Sequence, residues 1–172
     1  KMEFPIKIRE ATQSDMEQIC LISDCTAGSR EITNRKMIEE RIRSYADTFL
    51  LASLDDMVIA YILGTDLANS SLIRWIEELA NVELISDRNY VIADLSVHPD
   101  YQRQGFGTLL LAAFKQVVLQ QNSPGIYLLC EDELLAYFEM NGFVEQGIIE
   151  GERSSEFAFL MHWHNPYYQE EI

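Results

Sequence analysis

Residues 98–114, HPDYQRQGFGTLLLAAF, set Gly105 and Gly107 two apart between a proline turn and a long apolar run. A glycine at a helix entrance costs conformational entropy, so its bare backbone has to serve something. Anion binding is one such service. The first amide N–H groups of a helix have no partner within it, and the aligned peptide dipoles put roughly half a positive charge at that end. Gly105 and Gly107 would let a pyrophosphate reach those amides with no Cβ in the way. Two common phosphate loops do not fit: Leu110 stands where the third glycine of G-x-G-x-x-G would be, and no G-K-[ST] follows. On spacing alone, anion binding stands level with two glycines tolerated for close packing.

The elements that must position this loop follow from periodicity. IKIREA (6–11) alternates as a short strand, and TQSDMEQICLISD then opens a helix. Ser14 and Glu17 have capping-box spacing there, and Met16, Ile19 and Ile22 form the apolar stripe. A second helix is expected near 34–45, where Ile38, Ile42 and Tyr45 recur at i, i+4, i+7. TFLLASL and MVIAYILG are β-rich runs joined at Asp55-Asp56 as an antiparallel hairpin, with Gly64 marking a bulge or the end of the second arm. Residues 65–89 read as an insertion with a helical apolar face of Leu72, Ile73, Trp75, Ile76 and Leu79 after a serine start signal. NYVIADLSVH (89–98) is a strand ending at Pro99. In the helix that follows, Phe106, Leu109, Leu110, Ala113, Phe114 and Val117 keep phase until QNSPG stops it. IYLLC (126–130) is a buried strand, EDELLAYFEMN a short helix with Gly142 as its C′ cap, and FVEQGIIEGERSSEFAFLMHW two strands around Glu150-Gly151. Nothing repeats. The order predicts one domain over residues 1–172, of mixed α/β class, with helices on a largely antiparallel sheet.

Composition narrows the partners. The chain has 172 residues, 48% hydrophobic and 24% charged, with a net charge of −15. Such a surface repels phosphate backbones and anionic membranes, which argues against nucleic-acid and membrane binding. It would favour a cationic small substrate, although acidity also simply maintains solubility. Cys20, Cys25 and Cys130 are odd in number and lack paired spacing, which argues for a reducing compartment. No apolar run approaches the ~20 residues of a membrane helix, and the chain reads as cytoplasmic. An apolar strand near the C-terminus offers a surface for a homodimer.

Q102-R-Q-G-F-G107 resembles the Q/R-x-x-G-x-G/A signature of the GCN5-related N-acetyltransferases, the GNAT superfamily. ADLSVHPDY before it resembles that family's fourth strand, and LLCEDELLAYFEMNGF after it the fifth strand and a helix ending in Gly-Phe. The likeness runs from IREATQSD to FLMHW. CED, LSVH and FLLASLDDMVIAYILG resemble the arylalkylamine branch in particular. The resemblance implies an enzyme of the GNAT fold that moves acetyl from acetyl-CoA to a primary amine, with no metal. It implies that the backbone of Leu95, Ser96 and Val97 pairs with the pantetheine arm and that an amide there, at Val97, polarises the thioester carbonyl. Gln102, Arg103, Gln104, Gly105, Phe106, Gly107 and Thr108 would wrap the pyrophosphate.

Acetyl transfer to an amine needs a neutral nucleophile, a stabilised oxyanion and a proton for the leaving thiolate. An alkylammonium is neutral only about once in a few thousand at pH 7. Positioned proton transfer typically contributes ~10²–10⁴, and an oxyanion donor ~10²–10³. The chain departs from the arylalkylamine pattern at these proton-transfer positions. The two strand histidines correspond to Val91 and Ala93, and the tyrosine acid to Phe138, which would then line the coenzyme without giving a proton. Tyr137 is adjacent, but one residue along a helix turns a side chain by about 100°. Asp94 has the opposite parity to Ala93 and is expected to make a structural hydrogen bond, with proton transfer as its rival role. His98 reads first as a turn residue, and Glu77, Glu78 and Glu83 first as an exposed helix face, though they could border the acceptor. His162 and His164 share parity, but two ligands without a third do not make a metal site. Cys130 has no His partner in reach, and Glu131-Asp132 beside it suits a helix cap. The acceptor is expected to be a small cationic amine. A protein or peptide N-acetyltransferase and a non-catalytic acyl-CoA sensor are the alternatives.

Overall fold

The computed structural model describes residues 5–26, 35–74, 76, 88–150 and 157–170. Strands β1 (Ile6–Glu10), β2 (Phe49–Leu54), β3 (Met57–Asp66), β4 (Tyr90–Val97), β5 (Gly125–Cys130), β6 (Val144–Glu150) and β7 (Phe157–His164) form one sheet in the order β1-β2-β3-β4-β5-β7-β6. Helices α1 (Met16–Thr26), α2 (Arg35–Ser44), α3 (Phe106–Gln120) and α4 (Asp132–Met140) accompany it. β1 with β2, β2 with β3, β5 with β7 and β6 with β7 pair antiparallel, whereas β4 and β5 run parallel, as the helical crossover between them requires. The mixed α/β class expected from the order of elements is therefore the one observed. The chain divides into two compact units, residues 1–64 with 94–117, and residues 65–93 with 118–172.

In the first unit, Met16, Ile19 and Ile22 of α1 and Ile38 and Ile42 of α2 pack with Phe49, Leu51, Val58, Tyr61 and Leu63 of the hairpin. Asp55 and Asp56 turn that hairpin with φ of 49° and 65°, the mirror-image turn whose twist suits two strands. Two local expectations are corrected. The helix opens at Thr12 and Asp15, not at Ser14 and Glu17. Asp15 accepts the Thr12 amide at 2.8 Å and a two-pronged bond from Arg9, both prongs 2.8 Å, which the Ser14–Glu17 pair could not combine. The Arg9 guanidinium holds the Asp15 carboxyl below its usual range. Gly64 does not end its strand: β3 runs on to Asp66, and the β2–β3 register shifts opposite Ala52 and Ser53, where Ile59 is the extra residue.

In the second unit, Leu67, Ile76, Val91, Tyr127, Ile149 and Leu160 form the core, with Leu72 and Ile73 against it. Ser70 accepts the Leu72 amide at 3.1 Å, the serine start expected there; Trp75, Glu77, Glu78, Leu79 and Glu83 lie outside the described residues. At the α4 terminus, Gly142 and Phe143 donate back to Glu139 and Phe138, each at 3.0 Å, which is the expected C′ cap. A Cβ on Gly125 would lie 2.2 Å from the Trp163 carbonyl oxygen and 2.7 Å from His162 Nε2, so β5 can meet β7 here only as glycine.

Helix α3 is rolled relative to its expected stripe. Phe106, Leu110, Leu111, Phe114 and Val118 are buried, whereas Leu109 is 42% exposed and Ala113 and Val117 are half-buried. Several apolar residues in a row allow more than one stripe at 3.6 residues per turn, and packing selects between them.

Candidate active site

Strand β4 pairs with β5 through Tyr90, Val91 and Ile92, and Leu95, Ser96 and Val97 follow after the last rung. The chain then turns in a short stretch secured by its own groups. His98 donates its amide to the Ile59 carbonyl at 2.7 Å, and its Nδ1 accepts the Asp100 amide at 3.1 Å. That bond caps the tight turn Pro99–Tyr101, so His98 serves the turn. The Tyr101 ring meets the edges of His98 and Phe106 at 5.7 and 6.3 Å between centroids. Phe106 is buried and anchors the first turn of α3.

Between these anchors the backbone adopts an unusual shape. Arg103 (φ 64°) and Gly105 (φ 86°) are both left-handed, one residue apart. For Arg103 this conformation costs on the order of 1–2 kcal/mol, a strain that recurs where backbone groups are aimed at a ligand. Alternation of this kind points successive N–H groups to one side and makes a concave anion nest. Among the described residues, no protein acceptor meets the amides of Arg103, Gln104, Gly105, Phe106 and Gly107. Residues 102–105 are exposed, and a Cβ on Gly105 would meet nothing within 4 Å, so the concavity is open. Leu109 donates to Gly105 at 3.0 Å in the first turn of α3, so the amides of Gly105, Phe106 and Gly107 stand at the positive end of the helix dipole. Thr108 is exposed at the same helix mouth. Two glutamines brace the loop: Gln102 donates from Nε2 to the Val97 carbonyl at 3.1 Å, and Gln104 to the Asp100 carbonyl at 3.4 Å.

Asp94 makes the structural bonds expected of its parity. Its Oδ2 accepts the Tyr61 hydroxyl at 2.5 Å and its Oδ1 the Ser96 hydroxyl at 2.7 Å, while Thr26 Oγ1 approaches Ser96 Oγ at 3.1 Å. Tyr61 is fully buried, and burial together with the neighbouring carboxylate raises its phenol well above the usual range. Tyr61 and Thr26 escaped sequence reasoning. Tyr61 stands inside the apolar run MVIAYILG, and its hydroxyl tip was the one available signal.

Tyr137 is half-buried with its ring 5.2 Å from Phe138, and Phe138 is buried 5.7 Å from Phe143 at the corner of α4 and β6. Val91 is buried in its unit's core and Ala93 is exposed. Burial and the carboxylates of Glu139, Asp132, Glu131 and Glu145 push the Cys130 thiol up to about 11, which disqualifies it as a nucleophile at neutral pH. His162 lies 4.3 Å from the Tyr127 ring and 3.0 Å from Asn89 Oδ1, and burial first, then the charge of His164, pushes it down to about 4. His162 is half-buried and neutral above that value, while His164 is exposed. Among the described residues, no three His, Cys, Asp or Glu side chains form a group that could hold a metal.

The model of the Acetyltransferase (GNAT) family matches residues 15–143. The chain belongs to that family and is an acyl-CoA-dependent N-acetyltransferase with acetyl-CoA as its cosubstrate. No curated protein matches it in sequence. Its fold is similar to that of Ard1 from Thermoplasma volcanium (TM-score 0.74, 21% identity, covering 93% of this chain and 97% of that one). It is also similar to the PaiA N-acetyltransferase from Thermoplasma acidophilum in complex with coenzyme A (0.67, 17%, 95% and 100%). A third similar structure is Arabidopsis thaliana Naa50 in complex with the bisubstrate analogue CoA-Ac-MVNAL (0.68, 16%, 92% and 97%). Among the described residues, no helix is long and apolar enough to cross a membrane.

Proposed function

We propose that this enzyme acetylates a small cationic primary amine by direct attack on acetyl-CoA, with residues 102–108 holding the pyrophosphate and the end of β4 holding the thioester. The observation that carries the proposal is the row of acceptor-free amides at Arg103–Gly107 at the mouth of α3. These groups act at contact distance, whereas the acidic surface is screened within ~8–10 Å by salt. That is how a chain of net charge −15 holds a polyanion. Arg103 is exposed and adds a guanidinium at the same place.

In this reading the Leu95–Val97 backbone receives the pantetheine as an added strand, and the Val97 amide faces the thioester oxygen. The amine nitrogen forms the new C–N bond and the negative charge moves onto that oxygen. Collapse breaks the C–S bond; the nitrogen loses its proton to water, and the coenzyme A thiolate takes one up. Tyr137 and Asp94 receive no proton-transfer role here, because Tyr137 stands one residue, about 100° around the helix, from the inherited position and Asp94 already accepts two hydroxyls. Charge complementarity and the likeness of CED and LSVH to the arylalkylamine branch support the small amine. Three free cysteines support a reducing, cytoplasmic setting.

A second reading, a peptide α-amine as acceptor, is favoured by the resemblance to Naa50, whose bound analogue carries a peptide. Thiol release from acetyl-CoA across an arylethylamine, a diamine and a short peptide with a free N-terminus separates the two. The small-amine reading expects turnover that rises with pH toward the alkylamine pKa of ~10.4, whereas a peptide α-amine would level off near ~8. Turnover on the peptide alone would reverse the assignment. Coenzyme binding without turnover on any amine would defeat both readings.

A further inference from the structure

The polar chain behind β4 stands apart from the rest of its surroundings. Tyr61 lies in an otherwise apolar cluster of α1, α2 and the hairpin, and its hydroxyl has Asp94 as its hydrogen-bond acceptor. A carboxylate only accepts, so the direction of every bond is fixed: Tyr61 and Ser96 both donate to Asp94. The Ser96 oxygen is thereby left to accept from Thr26, whose hydroxyl is shared with the Ile22 carbonyl at 2.8 Å in the last turn of α1. Charge-assisted bonds of this length are the stronger kind, and a half-buried carboxylate that has both oxygens engaged has little rotational freedom.

The placement of this chain gives it a use. Asp94 and Ser96 share strand parity, so Leu95 and Val97 alternate to the opposite side of β4. Asp94 and Ser96 thus flank Leu95, and Ser96 shares with Val97 the peptide unit whose amide the proposed transfer step uses. The same few residues are held again at their far end, where the Val97 carbonyl accepts from Gln102 and the His98 amide donates to Ile59. An apolar pair in place of Asp94 and Ser96 would carry no direction and would leave the buried Tyr61 hydroxyl without its acceptor. A directional network instead sets the rotation of the peptide planes, to the tolerance that an oxyanion donor needs.

We infer that Asp94, oriented by Tyr61 and Ser96, is a positioning residue for acetyl transfer: it fixes the pitch of the Leu95–Val97 backbone, and its loss impairs polarisation of the thioester more than it impairs coenzyme binding. This rests on the reading of that backbone as the thioester site. The probe is acetyl-CoA labelled with ¹³C at the thioester carbonyl, titrated onto the full chain and onto Tyr61→Phe, Ser96→Ala and Asp94→Asn. In the parent protein the bound carbonyl resonance moves downfield. In the variants at least about half of that displacement is lost, while the Kd for acetyl-CoA stays within about threefold, so that polarisation of the thioester separates from binding of the coenzyme. A displacement retained in variants that melt cooperatively overturns the inference, and so does a variant that loses the coenzyme altogether. Should Asp94→Asn fail to fold, the near-isosteric Tyr61→Phe and Ser96→Ala decide. Absence of any binding by the parent protein overturns the coenzyme reading and this inference together; binding with an unmoved carbonyl in the parent overturns only the thioester assignment.

Discussion

Gly105 and Gly125 are both indispensable glycines, for opposite reasons. Around Gly125 the seam of β5 and β7 is saturated: a Cβ would strike the Trp163 carbonyl and His162, and Ser123 exchanges bonds with the Gly125 amide and carbonyl, each 3.3 Å. Around Gly105 the space is open, the backbone is left-handed, and the neighbouring amides meet no protein acceptor. The first is the condition of a settled core, where every buried donor has been answered. The second leaves donors unanswered on purpose, which makes sense only if something arrives to answer them. Incompleteness, more than any residue type, marks the functional region of this molecule.

Substitution at the two glycines should therefore fail in different currencies. Gly105→Glu places a carboxylate where a pyrophosphate is expected; calorimetric titration should show coenzyme A weakened by about a thousandfold, as like-charge contact costs several kcal/mol. Its thermal stability should fall only by the backbone strain of about 1–2 kcal/mol. Gly125→Ala should do the reverse, with overpacking of about 3 kcal/mol read as a melting point lower by about 6–12 °C. Coenzyme binding at a temperature where that variant is folded should be unchanged. Equal losses of stability and binding in both variants would erase the contrast.

The smallest effect concerns acid. His162 titrates near 6.5 in the unfolded chain and about 4 in the fold, held down by burial. Between those values the unfolded state binds the extra proton, so stability is complete above pH 6.5 and falls as pH drops toward 4. Urea unfolding across that window should show the slope, and His162→Gln should flatten it. A slope unchanged in the variant would mean that other groups carry the acid sensitivity.

Much of the architecture was legible because period and punctuation agreed. The hairpin at Asp55-Asp56, the strand into Pro99 and the Gly142 cap combine a hydrophobic period with a residue that only a turn requires. The misses occurred where the local code was degenerate. Thr12-Gln13-Ser14-Asp15 offers two overlapping caps, and Arg9, from a different element, chose between them. In α3 the run of leucines permits two stripes. The loop proposed to hold the coenzyme could be located from its glycines, but the Tyr61–Asp94–Ser96–Thr26 chain could not, because its members are brought together from β3, β4 and α1 by the tertiary fold alone. Non-local hydrogen bonds leave no periodic trace in a sequence.

The bond from Gln102 to the Val97 carbonyl has one more implication. It is a short mechanical link between the place that would hold the coenzyme's diphosphate and the place that would hold its acetyl group. A movement of the loop on filling or emptying would tug directly on the strand, so release of spent coenzyme and resetting of the transfer geometry become a single event.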